Sequence, residues 1–134
     1  MPVAYMLDTN IATFVIKDSI PGLRTHVRRF RVNQIAVSVV TEAELLYGLA
    51  RKPEATRLKP RVLEFLNAVK ILPWTSDAAE NYALTRASLE RTGRSLDDLD
   101  MMIAAHALAE DVILVTNDAA FRWIGHLKTE DWTV

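Results

Sequence analysis

The hydrophobic positions of the chain follow two periods, because short apolar runs typical of buried strands alternate with longer stretches spaced as on a helix. The strand-like runs lie at 3–7, 35–38, 71–72 and 112–115. The helical stretches lie at 10–17, 20–30, 41–51, 58–69, 77–91 and 98–110, with a short helical turn at 119–123 and an edge piece at 127–134. Strands that alternate with helices predict an α/β fold whose mainly parallel central sheet is covered by helices on both faces.

Three of the helical stretches carry more specific signals. The stretch 98–110 is apolar nearly all round, which predicts a central helix. Gly93 is a natural stop for the stretch 77–91. The buried side of the stretch 41–51 is predicted to carry three leucines, Leu45, Leu46 and Leu49.

The composition fits a single domain spanning residues 1–134, since half of the 134 residues are hydrophobic and can form a core. The sequence contains no cysteine, which excludes disulfides and thiolate metal sites. No apolar run approaches the roughly 20 residues of a membrane helix, and no basic leader precedes a long apolar region. We therefore expect a soluble cytoplasmic protein without membrane contact.

Charge is distributed unevenly, although the net charge is only −1. Residues 1–69 carry ten Lys and Arg against six Asp and Glu, whereas residues 70–134 carry six against eleven. Simple solvated helix faces explain such an excess. The basic residues could also follow a phosphate backbone at the edge of an acidic pocket; they are Lys17, Arg24, Arg28, Arg29, Arg31, Arg51, Lys52, Arg57, Lys59 and Arg61.

Four acidic residues stand at the edges of predicted elements rather than on solvated faces. Asp8 and Asp118 follow strand-like runs, and Glu44 and Asp100 lie in the first turns of helices. In an open parallel sheet, ligands bind at the carboxyl ends of the strands, where such residues can meet. Two carboxylates about 4 Å apart repel by roughly 4 kcal/mol at an effective dielectric of about 20. A cluster of four must therefore take up protons or hold a hard cation such as Mg²⁺ or Mn²⁺.

Three of these acids also have a purely structural interpretation. Asp8 suits the cap of the following helix, and Asp118 suits a turn. Glu44 forms a Thr-x-x-Glu capping box with Thr41, which would occupy its side chain without any chemistry.

Asp100 is harder to explain as a structural residue, because the apolar residues after it offer no polar partner and place its helix in the core. The preceding acids, Asp97 and Asp98, suit the first turn of a helix capped by Ser95. Asp97 lies one turn before Asp100 on the same side and could join the site as an auxiliary acid.

The motifs of other hydrolytic schemes are missing from the sequence. There is no cysteine nucleophile, Gly-x-Ser-x-Gly elbow, Walker-type phosphate loop or His-Glu-x-x-His motif. His106, on the predicted central helix, is better explained as a hydrogen-bonded core or rim residue than as a ligand. The tryptophans are expected to serve packing; they are Trp74, Trp123 and Trp132.

Four segments together resemble a known family. They are Met-Leu-Asp-Thr-Asn at 6–10, Val-Thr-Glu-Ala-Glu-Leu-Leu-Tyr-Gly at 40–48, Leu-Asp-Met-Met-Ile-Ala-Ala-His-Ala at 99–107 and Leu-Val-Thr-Asn-Asp at 114–118. In this order and spacing they resemble the PIN-domain ribonucleases, specifically the VapC-type toxins of bacterial toxin–antitoxin pairs. The tail at 125–132 resembles the ending of that branch, so the likeness covers nearly the whole chain and implies a single PIN-like domain.

The resemblance implies a site for Mg²⁺ or Mn²⁺. Its acidic core would be Asp8, Glu44 and Asp100, with Asp118 as the fourth acid and Asn117 as a substitute for it. Hydroxyls nearby would come from Thr9 and Thr116. The segment 95–98 is more acidic than the glycine- or proline-containing segment often seen in this branch, which leaves open whether Asp97 adds to metal binding or weakens the approach of RNA.

The same resemblance implies a metal-assisted endoribonuclease. Its substrate would be a structured RNA such as a tRNA, the chain would form a homodimer, and a cognate antitoxin would inhibit it by placing a basic tail in the acidic groove.

Two alternatives come from other classes of protein. An aspartyl-phosphate-forming phosphatase or phosphotransferase could use Asp8 as its nucleophile. Asn10 argues against it, because dehalogenase-like phosphatases usually have a second Asp at this position. A non-catalytic RNA- or protein-binding module would use the acids as caps and the basic helices as contacts.

Overall fold

The computed structural model of the protein describes residues 2–134 and contains a five-stranded parallel sheet in the order β3-β2-β1-β4-β5. The strands are β1 Tyr5–Leu7, β2 Ile35–Ser38, β3 Lys70–Leu72, β4 Ile113–Val115 and β5 Thr129–Glu130. The helices are α1 Thr9–Lys17, α2 Leu23–Arg28, α3 Val39–Arg51, α4 Leu58–Ala68, α5 Ser76–Arg91 and α6 Asp98–Glu110, with 3₁₀ helices at Val32–Gln34 and Ala119–Trp123. The predicted α/β fold with a parallel sheet is confirmed.

β1 lies at the centre of the sheet, between β2 and β4. Met6 aligns with Ala36 of β2 on one side and with Leu114 of β4 on the other. The Asp8 amide extends this pairing by donating to the Val115 carbonyl oxygen at 3.0 Å. Asp8 therefore lies at the carboxyl edge of the sheet, beside the segment that follows β4.

Separate hydrophobic cores cover the two faces of the sheet, as predicted. One packs α5, α6 and the Ala119–Trp123 helix against a face that includes Met6 and Leu114. The other packs α1, α2 and α4 against a face that includes Leu7 and Val115. Successive strand residues enter opposite cores because side chains alternate across a pleated strand. Since burying one such side chain contributes about 1.5–3 kcal/mol, both helical layers are held firmly on the sheet.

Most element ends differ from the prediction by one or two residues, and two starts differ for clear reasons. α2 begins at Leu23 rather than at 20, because Gly22 adopts a left-handed conformation with φ 83° that a helix interior excludes. α3 begins at Val39 because Ser38, and not Thr41, caps it. Gly93, with φ 76°, follows the end of α5 as predicted.

The predicted burial of three leucines on α3 is partly wrong. Leu45 is buried, but Leu46 is 42% exposed. The buried face of α3 also contains Thr41, four residues before Leu45, and the next residue along the helix points about 100° away from that face.

None of the helices in residues 2–134 combines the length and the hydropathy needed to cross a bilayer.

Candidate active site

Asp8 is positioned by the junction between β1 and α1. Its side chain is 3% exposed and accepts a hydrogen bond from the Ile11 amide at 2.8 Å, so it caps α1. Burial raises the pKa of Asp8, while hydrogen bonds from the Thr116 hydroxyl and the Ile11 amide lower it and the charges of Asp118 and Glu44 raise it further. Asp8 is thus both a cap and a member of an acidic cluster.

Glu44 is held by a contact between α1 and α3. One carboxylate oxygen accepts from the Thr9 hydroxyl at 2.7 Å, and the Thr9 hydroxyl oxygen lies 3.0 Å from that of Thr41. The α3 cap is made instead by Ser38, whose hydroxyl accepts from the Val40 amide at 3.0 Å. The capping-box interpretation of Glu44 is therefore wrong, and its carboxylate points toward the start of α1.

Asp100 lies in the first turn of α6 and is half-buried. Its pKa is raised to about 6, first by burial and then by the charges of Asp97, Glu44, Asp8 and Asp118, in that order of effect. The N-cap residue of α6 is Asp97, whose side chain makes no capping hydrogen bond. The prediction that Ser95 caps this helix is therefore wrong. Among the charges acting on Asp100, that of Asp97 is the strongest.

The fourth acid lies on the segment after β4. Asp118 accepts from the Ala120 amide at 2.9 Å, which starts the Ala119–Trp123 helix, and its own amide donates to the Thr116 hydroxyl at 3.1 Å. Thr116 is buried, whereas Asn117 and Asp118 are exposed. The charge of Asp118 raises the pKa of both Asp8 and Asp100, so its carboxylate lies near theirs.

Acids from four separate parts of the chain therefore come together at one edge of the sheet, where the charges of Glu44 and Asp118 act on both Asp8 and Asp100. An all-carboxylate set suits Mg²⁺ or Mn²⁺, which are bound through oxygen and retain water ligands. Within residues 2–134, however, no three acidic or histidine side chains form a ready-made metal site. The donor chemistry fits a hard cation whose remaining ligands are water and phosphate oxygens.

His106 is a further polar residue close to this edge, and its role as a core residue was predicted. It is fully buried; one ring nitrogen lies 2.7 Å from the Ser38 hydroxyl and the other 3.0 Å from the Pro73 carbonyl oxygen. It links α6 to the start of α3. The Ser38 contact was missed, although a single histidine in an apolar helix is itself a signal of a buried partner.

Four of the basic residues lie apart from the acids, contrary to the arrangement that the sequence suggested. Lys17, Arg24, Arg28 and Arg61 line a cleft of about 730 Å³ near the last turn of α1. The acids lie at the first turn of the same helix, whose nine residues span about 13 Å. The cleft and the acidic edge are separate features.

Comparison with known proteins gives a consistent result. The sequence profile described as PIN domain matches residues 5–127. The "tRNA(fMet)-specific endonuclease VapC" of Shigella flexneri is 39% identical over 133 residues, covering 96% of this chain and 98% of the relative. The "Ribonuclease VapC2" of Rickettsia felis is 32% identical over 130 residues, covering 96% and 97%.

Solved structures agree with the sequence relatives. The chain is similar to one in the crystal structure of VapBC2 from Rickettsia felis bound to a DNA fragment from their promoter, with a TM-score of 0.89, 30% identity, and 97% and 99% of the two chains covered. It is equally similar to a chain of DNA-bound VapBC from Salmonella typhimurium, with a TM-score of 0.90, 30% identity, and 97% and 98% covered.

Proposed function

The chain belongs to the PIN-domain family as a VapC-type ribonuclease toxin, and from this premise we propose that it is an endoribonuclease that hydrolyses RNA phosphodiester bonds with Mg²⁺ or Mn²⁺. The observation that supports the metal dependence is the raised pKa of Asp100, about 6, which is due first to burial and then to the charges of four other carboxylates at the carboxyl edge. A divalent cation would offset the repulsion between these charges.

The proposed roles follow from the position of each side chain. Asp8 and Asp100 would hold the ion, with Glu44, Asp118 and the auxiliary Asp97 as further ligands or as acceptors for its waters. A bound divalent ion lowers the pKa of water and offsets charge on the scissile phosphate.

Hydroxyl groups and one amide would complete the site. The Thr9 hydroxyl orients Glu44 through its 2.7 Å hydrogen bond, and the Thr116 hydroxyl hydrogen-bonds to Asp8. Asn117 lies beside Asp118 on the exposed segment and is an auxiliary candidate for contact with substrate.

We infer that the substrate is a tRNA or another structured RNA. The support is the 39% identity to a relative from Shigella flexneri that is named as a tRNA(fMet)-specific endonuclease. Cleavage would take place in the cytoplasm, where such RNA is found.

Two protein partners are proposed. A cognate antitoxin would place basic side chains at the acidic edge, and the similarity to chains of VapBC structures supports this partner. A second copy of the chain would form a homodimer, which would cover apolar side chains that are exposed on α3 and α5, including Leu46, Tyr47 and Leu84.

The decisive experiment is cleavage of a panel of purified RNAs with Mg²⁺, with Mn²⁺ and with a chelator. We expect cleavage only with metal. Asp100→Asn should lower the rate by more than the roughly 10- to 100-fold typical of residues that merely support metal ligands, with an unchanged circular dichroism spectrum.

Asp98→Asn is the matched control, because Asp98 lies in the same helical turn but faces Arg86 at 3.4 Å. It should leave the cleavage rate nearly unchanged. Full activity of Asp100→Asn, or equal activity in chelator, would contradict the proposed site.

The two alternatives from other classes are less well supported than this proposal. The relatives are named as nucleases, which argues against an aspartyl-phosphate enzyme at Asp8. For a non-catalytic module whose acids serve as caps, Asp8 and Asp118 fit that role, but the Glu44 carboxylate accepts from the Thr9 hydroxyl and caps no helix.

A further inference from the structure

Trp123 departs from the packing role predicted for the tryptophans. It ends the Ala119–Trp123 helix and is 43% exposed, although Phe121 and Ile124 on either side are 1% and 3% exposed. Trp132, in contrast, stacks on Phe30 with ring centroids 5.0 Å apart and an interplanar angle of 7°. The Trp123 indole therefore remains available to solvent beside a well-packed segment.

Arg94 covers part of the Trp123 ring. The guanidinium carbon lies 5.1 Å from the ring centroid, which is within the range of a cation–π contact. Two other Arg–aromatic contacts, Arg51 with Tyr47 and Arg86 with Tyr82, join residues of a single helix. The Arg94–Trp123 pair instead joins two segments that are distant in sequence.

Both segments are close in sequence to acids of the candidate site. Arg94 lies in the loop between α5 and α6, three residues before Asp97 and six before Asp100. Trp123 follows Asp118 by five residues, and at about 2 Å per residue a 3₁₀ helix places it about 10 Å away. The pair thus lies beside the segments that carry Asp97, Asp100 and Asp118, and a nucleotide next to the cleaved bond would extend over these segments.

The charge of Arg94 is not used by an ion pair within the described residues 2–134. Arg86, on the neighbouring helix, contacts Glu90 and Asp98 at 3.4 Å each. A free cation beside repelling carboxylates is well placed to meet a polyanion, because the acids alone would oppose its approach.

We propose that Trp123 and Arg94 form a nucleobase platform, on which an unpaired base flanking the scissile phosphate stacks against the indole while the guanidinium contacts the base or its phosphate. This subsite rests on the proposed endoribonuclease function and refines its substrate to RNA with an unpaired nucleotide at the cleavage site. Stacking on an aromatic ring requires a base that is free of a duplex and tolerates any base identity.

The test measures binding separately from cleavage. The full chain carrying Asp100→Asn is titrated into a fluorescein-labelled 12-residue oligouridine and into the same strand with abasic riboses, in Mg²⁺, with fluorescence anisotropy as the readout. Trp123→Ala should weaken binding of the oligouridine by roughly tenfold or more and leave binding of the abasic strand unchanged. Trp123→Phe should retain most of the affinity.

Two control variants match the changes. Arg94→Ala tests the guanidinium, and Arg91→Ala is its control because it removes an equal charge from an exposed residue nearby. Arg91→Ala should weaken oligouridine binding less than Arg94→Ala does. Leu63→Ala removes an apolar side chain that is 44% exposed on α4 and should leave oligouridine binding unchanged.

Several results would overturn the platform. One is that Trp123→Ala loses the same affinity for the abasic strand as for oligouridine. Another is that the protein that retains Trp123 shows no measurable binding of oligouridine. A third is that light scattering shows a lower mass for Trp123→Ala, which would mean that a contact between subunits has been lost. If wild-type protein cleaves RNA while Trp123→Ala has an unchanged KM, only the platform fails. If wild-type protein cleaves no RNA in the panel, the proposed function fails with it.

Discussion

Asp8 illustrates how single residues serve two purposes at this edge. Its carboxylate accepts the Ile11 amide as a helix cap and at the same time lies within the electrostatic influence of Glu44 and Asp118. A cap and a metal ligand are compatible uses, because a carboxylate has two oxygens and about four acceptor sites. The choice between cap and catalysis suggested by the sequence was therefore not a real alternative.

Thr9 allows a test of how Glu44 is oriented. Thr9→Val keeps the side-chain shape but removes the hydroxyl that donates to Glu44 at 2.7 Å. We expect the free energy of unfolding to fall by about 1 kcal/mol and RNA cleavage to slow by roughly 10- to 100-fold through misplacement of Glu44. Urea titration and initial cleavage rates measure the two effects.

Thr13→Val is the control for Thr9→Val. The Thr13 hydroxyl also lies on α1 but donates only to the Thr9 carbonyl oxygen at 2.9 Å. Its loss should leave cleavage unchanged. Equal losses of activity in the two variants would contradict a specific role for the Thr9 hydroxyl.

The raised pKa of Asp100 predicts how the free energy of unfolding depends on pH. The folded chain holds this proton up to a pKa of about 6, compared with 3.8 for the ordinary side chain, so the free energy of unfolding should fall as pH rises between those values. Asp100→Asn should remove this part of the pH dependence and, without metal at pH 7.5, stabilise the fold by about 1 kcal/mol after allowance for solvent screening.

Thermal unfolding from pH 4 to pH 7.5 in chelator checks the Asp100 prediction. Asp98→Asn again provides the comparison, because it removes an equal charge from an exposed position in the same turn. A destabilised Asp100→Asn protein at neutral pH would indicate that the native carboxylate is not under repulsion.

At the scale of elements, α6 is the part that connects the acidic edge to the rest of the fold. Asp100 opens it, and His106 lies six residues later between Ser38 and Pro73. A carbonyl oxygen can only accept, so the nitrogen facing Pro73 carries the proton and the other accepts from the Ser38 hydroxyl. Ser38 in turn caps α3, and the two helices that carry Asp100 and Glu44 are therefore linked.

His106 predicts a pH effect of opposite sign to that of Asp100. Burial lowers its pKa below 6.5, although Glu110 and the Pro73 carbonyl act against the shift. The stability contributed by the neutral ring is thus complete above pH 6.5 and is lost as pH falls through the folded-state pKa. His106→Gln should lower the free energy of unfolding by about 1–3 kcal/mol at pH 7.5.

The measurement for His106 is a comparison of urea unfolding at pH 7.5 and pH 5.5. His106→Gln should lose less stability than the wild-type protein between the two values. If His106→Gln instead lost more stability than the wild-type protein, the buried ring would not be resisting protonation.

At the scale of the whole molecule, the topology brings distant acids together. β1 sits between β2 and β4, so the segments that leave the three strands emerge side by side. α6 brings Asp100 to the same edge from the other layer of helices. The arrangement accumulates negative charge that the local interactions do not neutralise.

That accumulation predicts metal-dependent stability of the folded chain. Mn²⁺ at about 100 times its dissociation constant should add about 2.7 kcal/mol to the free energy of unfolding, because the ion binds the folded form. The thermal unfolding midpoints of the wild-type protein and of Asp98→Asn should rise with Mn²⁺ and return to their original values when chelator is added. Asp100→Asn should shift much less, and an equal shift would place the ion elsewhere.

Much of the fold was predictable because it depends on local patterns. The apolar runs and the helical spacing located the main strands and helices, and the apolar surface of 98–110 correctly indicated a central helix. Gly93 marked the end of α5. The start of α2 and the burial of Leu46 were missed, because they depend on the backbone conformation of Gly22 and on the direction of the α3 face.

The sequence by itself determined the type of fold, the family and the acidic chemistry of the edge, since these reside in residue types and their spacing. Only the tertiary structure decided what each acid contacts. The Thr9–Glu44 bond joins residues 35 apart and the His106–Ser38 contact residues 68 apart. The burial that contributes most to the raised pKa of Asp100 likewise comes from packing. Such contacts are set by how helices pack across the sheet, because hydrogen bonds and desolvation depend on distances in space rather than on separation along the chain.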